Sequence, residues 1–127
     1  MTTFRAVPVL RIFDVAKAKE FYVDYLGFKV DWEHRFEPSL PLYMQISRGD
    51  LVLHLSEHYG DGSPGIAVLI YTTGIEAFHQ ELSAKRYNYA RPGLEDSTDL
   101  NAKTVSLTDP FGNKLRFHQR NEPRAST

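Results

Sequence analysis

The side chains able to do chemistry in this chain sit on the polar sides of alternating strands. His54 lies within Leu51-Val52-Leu53-His54-Leu55-Ser56, out of phase with the leucines. An imidazole so placed is a hydrogen-bonding group or a general base. Arg116 and His118 hold the same phase in Lys114-Leu115-Arg116-Phe117-His118, and Arg11 holds it between Leu10 and Ile12. A guanidinium on a polar face can read an anion through its planar fork, or pair with an internal acid such as Glu57 or Asp14. Gln45 and Tyr43 share the polar side of the stretch 42–47. Phe36 and Tyr43 flank a Pro-containing loop and offer an aromatic wall for a planar ligand. Trp32 shares the parity of Phe28 and Val30 and is expected in the core. His79, alone on a helix face, is expected to be structural, and Glu57-His58-Tyr59-Gly60-Asp61 a solvated loop. No Ser/His/Asp grouping, phosphate-binding Gly loop or paired-carboxylate motif stands out.

The elements that must position these groups follow from periodicity and turn chemistry. Strands are expected at 7–13, 28–34, 42–47 and 51–56, the last two joined by Arg48-Gly49-Asp50. Asp14 is an N-cap and Gly27 a C′ stop, with Val15, Ala18, Tyr22, Tyr25 and Leu26 on one face, so the spacing predicts a helix over 14–26. Tyr59 to Gly65 holds three Gly and one Pro and reads as a linker. The pattern then restarts: a strand at 66–70, a capping box at Thr73-Gly74-Ile75-Glu76, and a helical stripe of Ile75, Phe78 and Leu82. A short strand is expected at 87–91, a polar loop at 94–102, strands at 104–108 and 114–119, and a frayed tail at 120–127. Asp109-Pro110-Phe111-Gly112-Asn113 is the turn between the last two strands.

Two halves with the order strand, helix, strand, strand, strand imply an α+β fold of tandem βαβββ modules. Their curved mixed sheets would surround a cleft, with one helix packed behind each sheet. The expected organisation is one domain over 1–127: module 1 about 4–58, linker 59–64, module 2 about 65–119. In this reading Val9–Asp14 matches Ala67–Thr72, and Leu53-His54-Leu55 matches Leu115-Arg116-Phe117.

Composition narrows the class. The 127 residues carry a net charge of −1, with 42% hydrophobic residues. That excludes a broad basic footprint for nucleic acid or anionic membrane. No apolar run nears the roughly 20 residues of a membrane span. Cys is absent, which removes disulfides and thiolate metal sites. With no apolar leader at Met1–Arg5, a cytoplasmic location is expected.

The segments Val9–Asp14, Glu20–Phe28 and Asp109–Asn113 resemble the vicinal-oxygen-chelate superfamily, the glyoxalase, bleomycin-resistance and extradiol dioxygenase group. Arg48–Leu53 and Leu115–Phe117 look most like its bleomycin-resistance branch. The resemblance implies metal-ligand positions at Val7, His54, Gly65 and Arg116. Only His54 could ligate there, so neither metal nor cofactor is expected. The leading expectation is a non-catalytic small-molecule binding protein, possible partners being a bleomycin-type antibiotic or a small anionic or carbonyl compound. Its ligand-binding residues would be His54, Arg116, Arg11, Phe36, Tyr43, Gln45 and His118. The alternative is a metal-dependent lyase or dioxygenase with ligands relocated among His34, His54, His58 and His118. The resemblance and the apolar strand at 7–13 also imply a homodimer. One further expectation concerns charge. The cleft-facing set Arg11, His54, Lys114, Arg116 and His118, with Gln45, Ser47, Ser56, Thr104 and Ser106, holds no acid. Glu37, Glu57, Glu95, Asp96 and Asp99 fall in expected loops. A small anionic or carbonyl ligand would then be preferred over a polycation.

Overall fold

The computed structural model describes residues 1–121. The chain is α+β, two βαβββ modules in tandem, and divides into two compact units. The first spans Met1–Ile66 together with Asp109–Asn113; the second spans 67–108 and runs on from Lys114.

The first unit holds β1 (Val9–Arg11), a helix, β2 (Lys29–His34), β3 (Tyr43–Arg48) and β4 (Leu51–Ser56), in sheet order β1-β4-β3-β2. Leu10, Met44, Ile46, Leu53 and Leu55 are fully buried on one sheet face, in the alternation the sequence predicts. Asp14 caps the helix as expected, its carboxylate accepting from the Lys17 amide at 3.0 Å. The helix is α1 (Val15–Lys19) followed by a π-helical stretch, Glu20–Tyr25, rather than α throughout. There the Leu26 amide reaches back to the Phe21 carbonyl at 3.0 Å. The wider turn falls where Phe21, Tyr22 and Tyr25 share one buried face, with Phe21 ring centroids 5.0 and 5.8 Å from the other two.

The Asp109–Asn113 turn belongs to this first unit and is built around one carboxylate. Asp109 Oδ1 accepts from the amides of Phe111 and Asn113, both at 2.8 Å. Its Oδ2 accepts from the Tyr22 hydroxyl at 2.7 Å and from Asn113 Nδ2 at 2.9 Å. Asn113 Nδ2 also donates to the Arg11 carbonyl at 2.9 Å. Gly112 takes φ 89°, which accounts for glycine there.

β1 is shorter than the expected 7–13, and it is an edge strand whose outer side lies against the linker. Pro8 and Ile12 hydrogen-bond toward β4, so Val9 and Arg11 turn their backbone groups outward. Gly62, with φ 75°, lies on them so closely that a Cβ would stand 2.9 Å from the Val9 carbonyl oxygen. The linker therefore covers the edge, and a further strand could pair there only by displacing it.

The second unit holds β5 (Ala67–Tyr71), α2 (Ile75–Ala84), β6 (Leu94–Ser97), β7 (Ala102–Thr108) and β8 (Lys114–Arg120), in sheet order β5-β8-β7-β6. Helix α2 packs on β7 and β8. Four expectations are corrected here. The capping box does not form: Gly74, with φ 67°, is the N-cap without a side-chain bond, and Gln119 Oε1 accepts from the Ile75 amide at 2.9 Å. Glu76 pairs instead with Lys103. The segment 87–91 is turn and coil, and the strand lies later, at β6, inside the stretch expected to be a loop. β6 escaped recognition because it is an edge with polar residues on both faces, its Asp96 standing opposite Lys103. Arg120 ends β8 over the Tyr71 ring rather than fraying, whereas 122–127 lie outside the described residues. His79 is structural as expected, its Nε2 2.9 Å from the Pro92 carbonyl oxygen.

The repeat is also offset from the sequence alignment. Ile12 N–H bonds the Ser56 carbonyl as Thr72 N–H bonds the His118 carbonyl. Val9 therefore matches Leu69 rather than Ala67, and His54 matches Arg116 as expected. The two-residue offset preserves strand parity, so the sequence pattern could not reveal it.

Removing the Tyr22 hydroxyl takes one donor from the buried Asp109. Tyr22→Phe is expected to lower stability by about 1–3 kcal/mol in urea denaturation. Burial first, then the charge and hydrogen bond of Asp109, raise the Tyr22 pKa well above 10.0. Its contribution is thus present below pH 10 and lost as pH rises further, so an alkaline loss of stability should be smaller in Tyr22→Phe.

Candidate functional site

The site is created by an irregularity in β2. Lys29 and Val30 oppose Ser47 and Ile46, but the next paired residue, Trp32, opposes Gln45, leaving Asp31 as the extra residue of a β-bulge. The bulge reverses the parity of everything after it. Trp32 is therefore not in the core, as expected from sequence, but 42% exposed on the opposite face. It stacks on Tyr43, with ring centroids 5.9 Å apart and planes 11° apart. The His54 ring stands edge-on to both, at 5.3 Å from Trp32 and 5.2 Å from Tyr43.

A hydrogen-bond chain runs across this aromatic floor. The Tyr43 hydroxyl is 2.6 Å from His54 Nδ1, and His54 Nε2 is 2.9 Å from Gln45 Oε1. Gln45 Nε2 donates to Asp31 Oδ2, and the Ser47 hydroxyl to Asp31 Oδ1, each at 3.0 Å. These two donors hold the Asp31 pKa below its usual value. Burial lowers that of His54 from 6.5 and, with Asp61 nearby, raises that of Tyr43.

The sequence-expected residues divide as follows. Tyr43, Gln45 and His54 come together in the first unit. Arg11 does not present a free fork: its Nη1 donates to the His58 carbonyl at 2.8 Å, and its guanidinium lies 4.8 Å from the Phe13 ring centroid. Phe36, 75% exposed, stands edge-on to His34 and lines an open cavity of about 360 Å3 with Glu33, Arg35, Glu37 and Leu42. Arg116 and His118 lie in the second unit, opposite Ser106 and Thr104 on one face of its sheet. No hydrogen bond or ion pair engages Arg116 among the described residues. Trp32 and Asp31 were missed as site residues: only the bulge, which no residue type announces here, could have revealed Trp32, whereas strand alternation already placed Asp31 on the polar side.

The expectation that the functional faces hold no acid is overturned. Asp31, on the polar side of β2 with Lys29, lies beside Gln45 and Ser47, and Asp61 accepts from the Ser56 hydroxyl at 2.8 Å. In the second unit Glu95 lies in β6, opposite Thr104, on the face of His118. The preference for an anionic ligand drawn from an acid-free lining therefore has no basis.

The donor set does not suit the divalent metal that this class of fold can carry. Both His54 nitrogens are engaged, and Val7 and Arg116 offer no ligand. By the observed register Val7 corresponds to Ala67, not Gly65, and neither can ligate. Among the described residues no three His, Asp or Glu side chains converge.

The comparisons agree with this architecture. Residues 1–124 match the family model described as glyoxalase superfamily protein. The chain belongs to the glyoxalase superfamily, and the resemblance to vicinal-oxygen-chelate proteins of the bleomycin-resistance branch is borne out. A bleomycin-binding protein from bleomycin-producing Streptomyces verticillus, solved with copper(II)-bleomycin, is 30% identical. The match covers 96% of this chain and 100% of that one, with a TM-score of 0.67. Two others share the fold at 23% identity, each match covering 94% of this chain and all of the other. They are a bleomycin-binding protein complexed with bleomycin, TM-score 0.71, and a bleomycin resistance determinant encoded on the transposon Tn5, TM-score 0.69. No curated protein matches the chain. No helix among the described residues is long and apolar enough to cross a membrane.

The face should respond to pH through His54, which meets Trp32, Tyr43 and Gln45, with His58 and Asp61 beyond Tyr43. A pKa held below 6.5 in the folded state means its contribution to stability is complete above pH 6.5. That contribution is lost as pH falls through the folded value. Fluorescence of Trp32, the one tryptophan, should be flat from pH 8 to about 6.5, then change with a midpoint below 6.5. His54→Gln should abolish that transition.

Proposed function

We propose that this chain is a non-catalytic, metal-independent binding protein that sequesters a flat heteroaromatic antibiotic of the bleomycin type. The carrying observation is the exposed Trp32–Tyr43 stack with a carboxylate, Asp31, at its side. An open aromatic face takes up a planar ring system, and an adjacent carboxylate favours the positive charge such drugs carry. The antibiotic-binding relatives support the same reading. In this proposal Trp32, Tyr43 and Asp31 contact the ligand and His54 and Gln45 orient them. Arg11 fixes the loop that follows β4. Arg116 and His118 are further proposed ligand contacts on the sheet of the second unit.

The enzyme alternative, with relocated metal ligands, draws no support from His34 or His54. His34 packs on Phe36, and His54 spends both nitrogens on protein partners. A general base would need one of them free for substrate.

Calorimetry of chelator-treated protein with metal-free bleomycin is expected to show saturable binding without turnover. Trp32→Ala should weaken it more than tenfold, the loss of an aromatic contact and its buried area. Binding that appears only after a metal is restored to the protein, or consumption of the drug, would contradict the proposal.

A further inference from the structure

Resting on that reading, we infer that the Tyr43 hydroxyl is an acceptor-only contact, so that this site selects ligand groups bearing N–H or O–H donors and rejects carbonyls. The inference follows from the polarity of the hydrogen-bond chain, worked out from its charged end. Asp31 is a carboxylate and can only accept. Ser47 and Gln45 must therefore donate to it, which they do from Oγ and Nε2. With its amide nitrogen committed to Asp31, Gln45 turns Oε1 toward His54, and Oε1 can only accept. His54 Nε2 must then carry the ring proton. In the neutral imidazole that leaves Nδ1 as a lone pair, and at 2.6 Å the Tyr43 hydroxyl must donate to it. Its single proton is thereby spent inside the protein.

What Tyr43 offers outward is its remaining oxygen lone pair, next to the exposed indole of Trp32. A ring-bound amine or amide N–H stacked on Trp32 can donate to that oxygen. A carbonyl in the same place would face a lone pair with no proton available, and a desolvated acceptor left unpaired is costly. Asp31 adds a second acceptor of the same sign at the other end of the chain. His54 and Gln45 are then positioning residues: they touch no ligand, and they decide which way the Tyr43 proton points.

The test has two readouts on the intact protein. Long-range proton–nitrogen NMR at pH 8 identifies the His54 tautomer without any ligand, and the Nε2–H form is expected. NMR titration at pH 9, where both are uncharged, with two probes on one ring, 2-aminoquinoline and 2-acetylquinoline, then reads selectivity through the Trp32 indole signals. The amine should bind at least tenfold more tightly, and the difference should fall below threefold in Tyr43→Phe. An Nδ1–H tautomer, equal binding of both probes, preference for the acetyl compound, or no response to either overturns the inference. Failure of bleomycin to bind while the tautomer and amine preference hold would instead remove the sequestration reading and leave the polarity intact.

Discussion

One extra residue, Asp31, is the constraint on which the candidate site depends. Had β2 kept strict alternation, Trp32 would point with Val30 toward the core, and Tyr43 would lose its stacking partner. The bulge places two consecutive side chains, a carboxylate and an indole, on the same face. The indole supplies apolar area, and the carboxylate sets the direction of every hydrogen bond as far as Tyr43. The bulge thus determines the shape of the surface and the Asp31 carboxylate its polarity.

The rest of the first unit keeps that surface in register. The sheet turns one face of fully buried apolar side chains inward, and a one-residue slip of β3 against β4 would bury Tyr43 and Gln45 in place of Met44 and Ile46 and part them from His54. The same unit uses Asp109 as a hub, with two backbone amides, an Asn amide and a Tyr hydroxyl all donating to one carboxylate. A buried charge is tolerable only when so satisfied. The aspartate of this turn is thus a packing element as well as a residue that breaks the strand.

Where periodicity is strong, the sequence was legible. The βαβββ order, the buried face of β3 and β4, the N-cap at Asp14 and the grouping of Tyr43, Gln45 and His54 all follow from alternation and capping chemistry. Three failures have physical reasons. β6 is polar on both sides because it is an exposed edge, so no apolar period marks it. The Thr73–Glu76 capping box was displaced by Gln119 and Lys103, partners more than 25 residues away that no local pattern contains. The bulge at Asp31 involves neither Gly nor Pro, and it inverted the assignment of Trp32; Asp31 itself was legible from alternation as a polar-side residue. Arg11 was legible as to face but not as to partner, because its acceptor is a backbone carbonyl in the loop after β4.

The central claim is that the chain's one indole lies on the polar face of β2–β4 and not in the core. Nuclear Overhauser contacts of the Trp32 ring report this directly. The account predicts cross-peaks from the indole to the rings of Tyr43 and His54 and none to Ile46 or Phe21. Cross-peaks to Ile46 or Phe21, with none to Tyr43, would mean that β2 has no bulge, and the site described here would not exist.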